Sequence, residues 1–143
     1  MLGPGGVALS LKVFTPLEAT KTLPLVRQIV GDVLEQGQSL MALRGKPMGP
    51  VERAQAERLV ESLDGLFREL EQIGCSFRCP NFERGIVDFP GLIEGELVHL
   101  CWRDDEPELR YYHPPDGGFA GRKPIPAELL REPDSNQPSE ATS

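Results

Sequence analysis

An α+β fold, in which a long antiparallel helical hairpin packs with a small antiparallel β-sheet, is predicted by three observations. Apolar residues recur at helical spacing through two long segments in the first half of the chain. After Gly74 the period changes to two, which is typical of strands. The length of 143 residues and the hydrophobic content of 39% suit a single domain with a modest core.

The first helix is predicted to begin at Pro16. Thr15 can cap it, proline suits its first position, and Glu18 lies where a capping box places its acid. Pro24 lies inside the apolar stripe, so we expect it to kink or split the helix. The glycines of this segment weaken the helix or let a partner approach closely. The stripe consists of Leu23, Val26, Val30, Val33, Leu34, Leu40 and Met41.

A second helix is predicted from Val51, after a Gly- and Pro-rich turn over residues 45–50, and Gly74 supplies its C-terminal stop. Two long helices with a short connection form an antiparallel hairpin, and their apolar stripes are expected to pack together. An apolar strip left uncovered would instead support a homodimer through the helices. The second stripe consists of Ala56, Leu59, Val60, Leu63, Leu66, Phe67, Leu70 and Ile73.

Four short segments are predicted as strands, and the last two flank a turn at Asp104-Asp105-Glu106-Pro107. The chain order of helices first and strands second favours segregated α+β packing over a parallel sheet. The four segments are Cys75 to Arg78, Gly85 to Phe89, Glu96 to Arg103 and Glu108 to His113.

Two registers are open for the last pair of strands. In the first, Arg103 lies opposite Glu108 and apolar residues gather on one face. In the second, shifted by one residue, His113 lies beside His99 and on the same face as Cys101. We favour the first register because it separates polar from apolar side chains better.

We expect the chain to divide into a flexible N-terminus over residues 1–11, one α+β domain over 12–130, and a disordered tail over 131–143. Within the domain, residues 12–74 form the helical hairpin, and residues 75–130 form a β-rich part with a Gly/Pro loop. The tail is predicted from its polar and Pro-containing composition.

The charge balance excludes some partners. Fifteen basic against twenty-two acidic residues give a net charge of −7, which opposes general nucleic-acid binding and docking on an anionic membrane. No apolar run approaches the roughly 20 residues of a membrane-spanning helix. Three cysteines cannot all pair within one chain, so a reducing, cytoplasmic setting explains them most simply.

The candidate functional surface lies between Gly85 and Pro126, which hold the only Trp, both Tyr and both His of the chain. Arginine forks and aromatic faces recognise planar or anionic groups well. We therefore expect a binding module for an anionic small molecule or an acidic peptide. Its candidate ligand-binding residues are Trp102, Arg103, Tyr112, His113, Gly121 and Arg122.

A small enzyme is the remaining alternative, with Cys101 or His113 as nucleophile or base and Asp116 as an orienting group. The sequence assigns no catalytic residue. A zinc site at Cys75 and Cys79 with a histidine has little support, since the short paired spacings of zinc ligands are missing. We therefore expect neither a metal nor a cofactor.

Several segments carry a family resemblance over about residues 12 to 126. Val87-Asp88-Phe89-Pro90, Leu100-Cys101-Trp102-Arg103, Tyr112-His113 and the run Gly118-Phe119-Ala120-Gly121-Arg122-Lys123-Pro124 resemble the bacterial domain-of-unknown-function family 2203. Members commonly have Trp where Tyr112 stands here. The resemblance implies no activity, because the family has none assigned.

Overall fold

The computed structural model describes residues 12–132 of the protein. The flexible N-terminus expected over residues 1–11 lies outside the described residues. The same holds for the tail expected over 131–143, apart from its first two residues.

Two helices form the predicted hairpin: α1, Pro16–Arg44, and α2, Pro50–Ile73. The capping box at the start of α1 is confirmed. The Thr15 hydroxyl accepts from the Glu18 amide at 3.1 Å, and the Glu18 carboxylate accepts from the Thr15 amide at 3.0 Å. Gly74 ends α2 with a φ of 113°, a left-handed conformation that glycine adopts without a Cβ clash.

Helix α1 runs uninterrupted past Pro24, so the expected split is wrong. The Pro24 side chain lies on the exposed side of the helix. Gly37 does allow a close approach, because a Cβ placed there would lie 2.2 Å from the ring of Phe82. That ring therefore occupies the space which any other residue at position 37 would need.

The sheet is a five-stranded antiparallel meander in chain order. The strands are β1, Ser76–Phe77; β2, Ile86–Ile93; β3, Glu96–Arg103; β4, Tyr111–His113; and β5, Lys123–Pro124. Strand β2 continues beyond the predicted segment, and β3 has the predicted bounds. Strand β4 is shorter than predicted, and β5 was not predicted.

The favoured register of β3 against β4 is wrong, and the alternative is correct: His99 pairs with His113 and Cys101 with Tyr111. Contacts at the turn fix this register. The Trp102 indole donates to the Glu106 carbonyl at 2.9 Å, and the Glu106 carboxylate accepts from the Arg103 amide at 2.9 Å.

One face of the sheet packs against the helical hairpin in a single core, with Trp102, Phe89 and Leu100 fully buried. Val26 and Leu70 on the helices belong to the same cluster, as does Phe14, which precedes α1. Among residues 12–132, no helix is both long and apolar enough to cross a membrane.

Candidate metal centre

The face of the sheet that points away from the helices carries a buried polar cluster. Residues alternate along β2 and β3, so the neighbours of the core residues point to this second face. The register places Asp88 opposite Cys101, and His99 opposite His113. The exposed fractions of Asp88, Cys101 and His113 are 7%, 0% and 3%.

Three different donor types meet in this cluster. A carboxylate oxygen of Asp88, the sulfur of Cys101 and a ring nitrogen of His113 all lie within 4.8 Å of one another. Within this group, His113 Nε2 lies 3.2 Å from Asp88 Oδ2. We call these three residues the Asp–Cys–His cluster.

Two further side chains border the cluster on its outer side. His99 Nδ1 and Arg78 Nε each lie 3.5 Å from Asp88 Oδ2. The His99 ring also meets the His113 ring edge to face, with 5.2 Å between centroids. His99 and Arg78 are more accessible than the cluster, with 31% and 52% of their side chains exposed.

The backbone fixes the orientation of the His113 ring. Nδ1 lies 2.8 Å from the carbonyl oxygen of Pro114, which can only accept, so Nδ1 carries the proton and donates. In the neutral ring Nε2 then presents its lone pair toward the Asp88 carboxylate. A carbonyl that holds one ring nitrogen while the other faces an ion is the usual support of a metal-binding histidine.

Burial leaves an oxygen of Asp88 without a partner and raises the pKa of Cys101. Within the described part of the chain, the buried oxygen Asp88 Oδ1 has no hydrogen-bond partner. Burial, reinforced by the negative charge of Asp88, raises the pKa of the Cys101 thiol to about 12. Without a metal ion beside it, Cys101 is therefore a neutral thiol rather than a nucleophilic thiolate at neutral pH.

Arg122 lies beside the cluster but is held by other partners. Its guanidinium makes two hydrogen bonds to the Glu106 carboxylate, at 2.7 and 2.6 Å, and one to the Cys101 carbonyl at 3.2 Å. It is stacked between Tyr111 and Phe119, at 4.2 and 4.5 Å from their ring centroids. These contacts hold the loop before β5 against the C-terminal end of β3 and the turn that follows it.

The six residues predicted as one surface are brought together only in part: Arg103 and Arg122 both stack on the Phe119 ring, at 5.4 and 4.5 Å from its centroid. Trp102 is fully buried in the helix-facing core, and Tyr112 packs against the same core. Arg103 is on the second face, where it pairs with Asp105 at 2.6 Å. Of the remaining three, Gly121 ends a short 3-10 turn, Arg122 is paired with Glu106, and His113 alone belongs to the cluster.

Sequence reasoning did not find Asp88 or His99 as site residues. A signal for Asp88 was present, namely an acid between apolar neighbours in a predicted strand, Val87-Asp88-Phe89. The Cys101–His113 pairing was considered only for the register that was not favoured. Asp116, predicted as the orienting group for the histidine, is exposed. Among the described residues, Asp88 is the acid that contacts His113.

The comparisons with known proteins agree with the resemblance noted in the sequence. No curated protein and no solved structure matches the chain significantly. A family model described as an uncharacterized conserved protein, DUF2203, matches residues 12–125. The matched range includes all three residues of the Asp–Cys–His cluster, and with this match over most of its length the chain belongs to the DUF2203 family.

Proposed function

We propose that this protein binds a divalent transition metal ion through Asp88, Cys101 and His113, and that Zn²⁺ is the ion best matched to the site. One carboxylate, one thiolate and one imidazole are all accepted zinc ligands. Calcium and magnesium prefer oxygen ligands alone, which this cluster does not offer.

The observation that carries the proposal is the meeting of two lone pairs. His113 Nε2 and Asp88 Oδ2 are 3.2 Å apart, while the His113 proton is engaged at Nδ1 by Pro114. Two acceptors at this distance repel unless a cation, either a proton or a metal ion, lies between or beside them. A shared proton would bridge only two of these atoms, whereas a metal ion can bind all three. The nearby Cys101 sulfur therefore favours a metal ion.

Burial strengthens this argument. Leaving a buried carboxylate oxygen without a partner, as at Asp88 Oδ1, costs roughly 1–3 kcal/mol or more for a charged group. A bound divalent ion would balance the charge of the Asp88 carboxylate and of a Cys101 thiolate together. It would also reverse the protonation of Cys101, because a coordinated thiol is deprotonated.

The separations are compatible with coordination after small side-chain adjustments. Tetrahedral zinc with bonds of 2.0–2.3 Å places its ligand atoms about 3.5 Å apart. The donor atoms here lie within 4.8 Å of one another, so rotations that move them inward by about 1 Å would be enough.

The arginine surface expected from the sequence has less support. Arg103 and Arg122 are neutralised by Asp105 and Glu106, so neither offers an unpaired charge to an anionic ligand. A metal-free Cys101 nucleophile also has little support, because the thiol is buried with a pKa of about 12 and His113 Nε2 faces Asp88.

Assembly through the helical hairpin remains a second candidate. Val51 and Val60 on α2 and Met41 on α1 have 72%, 50% and 39% of their surface exposed. Such apolar side chains would be covered in a homodimer. Light scattering across a hundredfold range of concentration tests this: a constant monomer mass removes the homodimer.

The proposal also includes two expectations from the sequence, one on the cellular setting and one on nucleic acid as a partner. The three cysteines at positions 75, 79 and 101 are free, which supports a reducing, cytoplasmic setting. The net charge of −7 supports the expectation that nucleic acid is not a partner.

The test is a competitive Zn²⁺ titration of the purified, metal-free protein. We expect one equivalent to bind. Asp88→Asn, Cys101→Ser and His113→Gln should each weaken binding by more than about 100-fold, since even residues that only support a ligand cost 10–100-fold. Cys79→Ser, which removes a more accessible thiol, is the matched control and should bind as the parent does.

Thermal unfolding of each variant separates lost binding from lost folding. Zinc at 100 times its Kd should stabilise the parent by about 2.7 kcal/mol. Folded variants that bind zinc as tightly as the parent would contradict the proposal. In that case His113 and Asp88 share a proton in a structural ion pair.

A further inference from the structure

We infer that the metal site keeps one coordination position open toward solvent, and that this position takes a small oxyanion such as a carboxylate, with Arg78 as its second anchor. This inference rests on the proposed metal site. It goes further by naming the class of ligand and the side from which it enters.

The number of donors leaves room for such a ligand. Asp88, Cys101 and His113 supply three ligands, whereas zinc prefers four. Sites with three protein ligands and a free fourth position are the ones that bind water or substrate. His99 is the nearest further donor, but it approaches only Asp88 Oδ2, at 3.5 Å, and does not join the group of mutually close atoms.

The burial of the cluster is strongly one-sided, and this decides where the open position lies. Cys101 is fully buried and His113 nearly so. Arg78 and His99 form the outer border, and both retain substantial solvent exposure. A ligand from solvent would therefore reach the metal past Arg78 and His99.

The charges on this side favour an anion. A divalent ion with the carboxylate of Asp88 and a thiolate of Cys101 has no net charge. Arg78, whose Nε lies 3.5 Å from Asp88 Oδ2, then adds one positive charge beside the open position. Once the metal balances Asp88, the guanidinium of Arg78 is available for a planar oxyanion, which it can bind through two parallel hydrogen bonds.

Arg78 is held less tightly by its neighbours than Arg122 is. Arg122 makes two short hydrogen bonds to Glu106 and is enclosed by aromatic rings. Arg78 makes a single long contact at 3.5 Å and keeps about half of its side chain exposed. It can turn toward a bound anion at little cost.

The test uses the Co²⁺-loaded protein, whose visible spectrum reports the coordination of the metal. Titration with acetate should shift the Co²⁺ bands saturably, whereas acetamide, the uncharged analogue of similar size, should not. Arg78→Ala should weaken acetate binding about tenfold, while the variant still binds one equivalent of Co²⁺. Arg68→Ala is the matched control, because Arg68 is an exposed arginine on α2 that pairs with Asp64 at 2.6 Å.

The outcomes separate this inference from the proposed function. A protein that fails to bind Co²⁺ contradicts the metal site itself. Co²⁺ binding with a spectrum that acetate does not change leaves the metal site standing and overturns the open position. A His99→Ala variant that loses more than 100-fold in Co²⁺ affinity would also overturn it, because His99 would then be the fourth ligand.

Discussion

Arg122 offers the sharpest test of how the structure holds the loop beside the candidate site. The pair that it forms with Glu106 is mostly buried, with 12% and 14% of the side chains exposed. Arg122→Ala removes both hydrogen bonds to Glu106 and leaves the Glu106 carboxylate without its counter-charge. Breaking one side of a buried pair costs about 3–5 kcal/mol, and the residual exposure favours the lower end, about 3 kcal/mol.

Urea denaturation followed by fluorescence of Trp102, the only tryptophan, measures this change directly. The matched control is Arg103→Ala, because Arg103 also pairs with an acid, Asp105 at 2.6 Å, but 32% and 44% of these two side chains are exposed. Exposed pairs contribute little to stability. If the Arg122 variant loses no more stability than the Arg103 variant, the Arg122–Glu106 pair does not stabilise the fold as its geometry indicates.

Three further predictions concern thiols and glycines. A thiol reagent at pH 8 should label one cysteine, the half-buried Cys79, in the native protein and all three in urea; fast labelling of more than one native thiol would contradict the burial found here. Burial raises the pKa of Cys75 from 9.0 to about 12, so its contribution to stability is complete below pH 9 and is lost as the pH rises toward 12. The free energy of unfolding of a Cys75→Ala variant should therefore fall less steeply in that interval, by up to about 1.4 kcal/mol per pH unit, and equal slopes would contradict it. Gly37→Ala should destabilise the protein by about 1–3 kcal/mol, because its Cβ would lie 2.2 Å from the Phe82 ring. Gly31→Ala should stabilise it by about 0.5–1 kcal/mol, because the added Cβ meets no atom within 4 Å. The opposite order of stabilities in urea denaturation would refute the packing of Phe82 against Gly37.

The helices could be predicted because their determinants are local. The capping box at Thr15 and Glu18 and the glycine stop at position 74 are sequence patterns with one common structural outcome. The uninterrupted passage of α1 through Pro24 could not be predicted in this way. It depends on tertiary packing, since Leu23 before Pro24 and Val26 after it both lie in the hydrophobic core.

The candidate site was missed because its prediction depended on register. Separating polar from apolar residues assumes that one face of the sheet is solvated. Here the second face buries Asp88, Cys101 and His113, so that assumption does not hold. The contacts of Glu106 with the backbone of Arg103 and the side chains of Trp102 and Arg122 fix the alignment, and no local pattern encodes them.

Anomalous diffraction at the zinc absorption edge, from crystals of the protein grown with one equivalent of Zn²⁺, tests the metal site most directly. We predict one strong peak on the second face of the sheet, with an Asp88 oxygen, the Cys101 sulfur and His113 Nε2 at 2.0–2.3 Å from the metal. A peak located only at Cys75, Cys79 or surface carboxylates, or the absence of a peak while His113 and Asp88 stay hydrogen-bonded, would contradict the account.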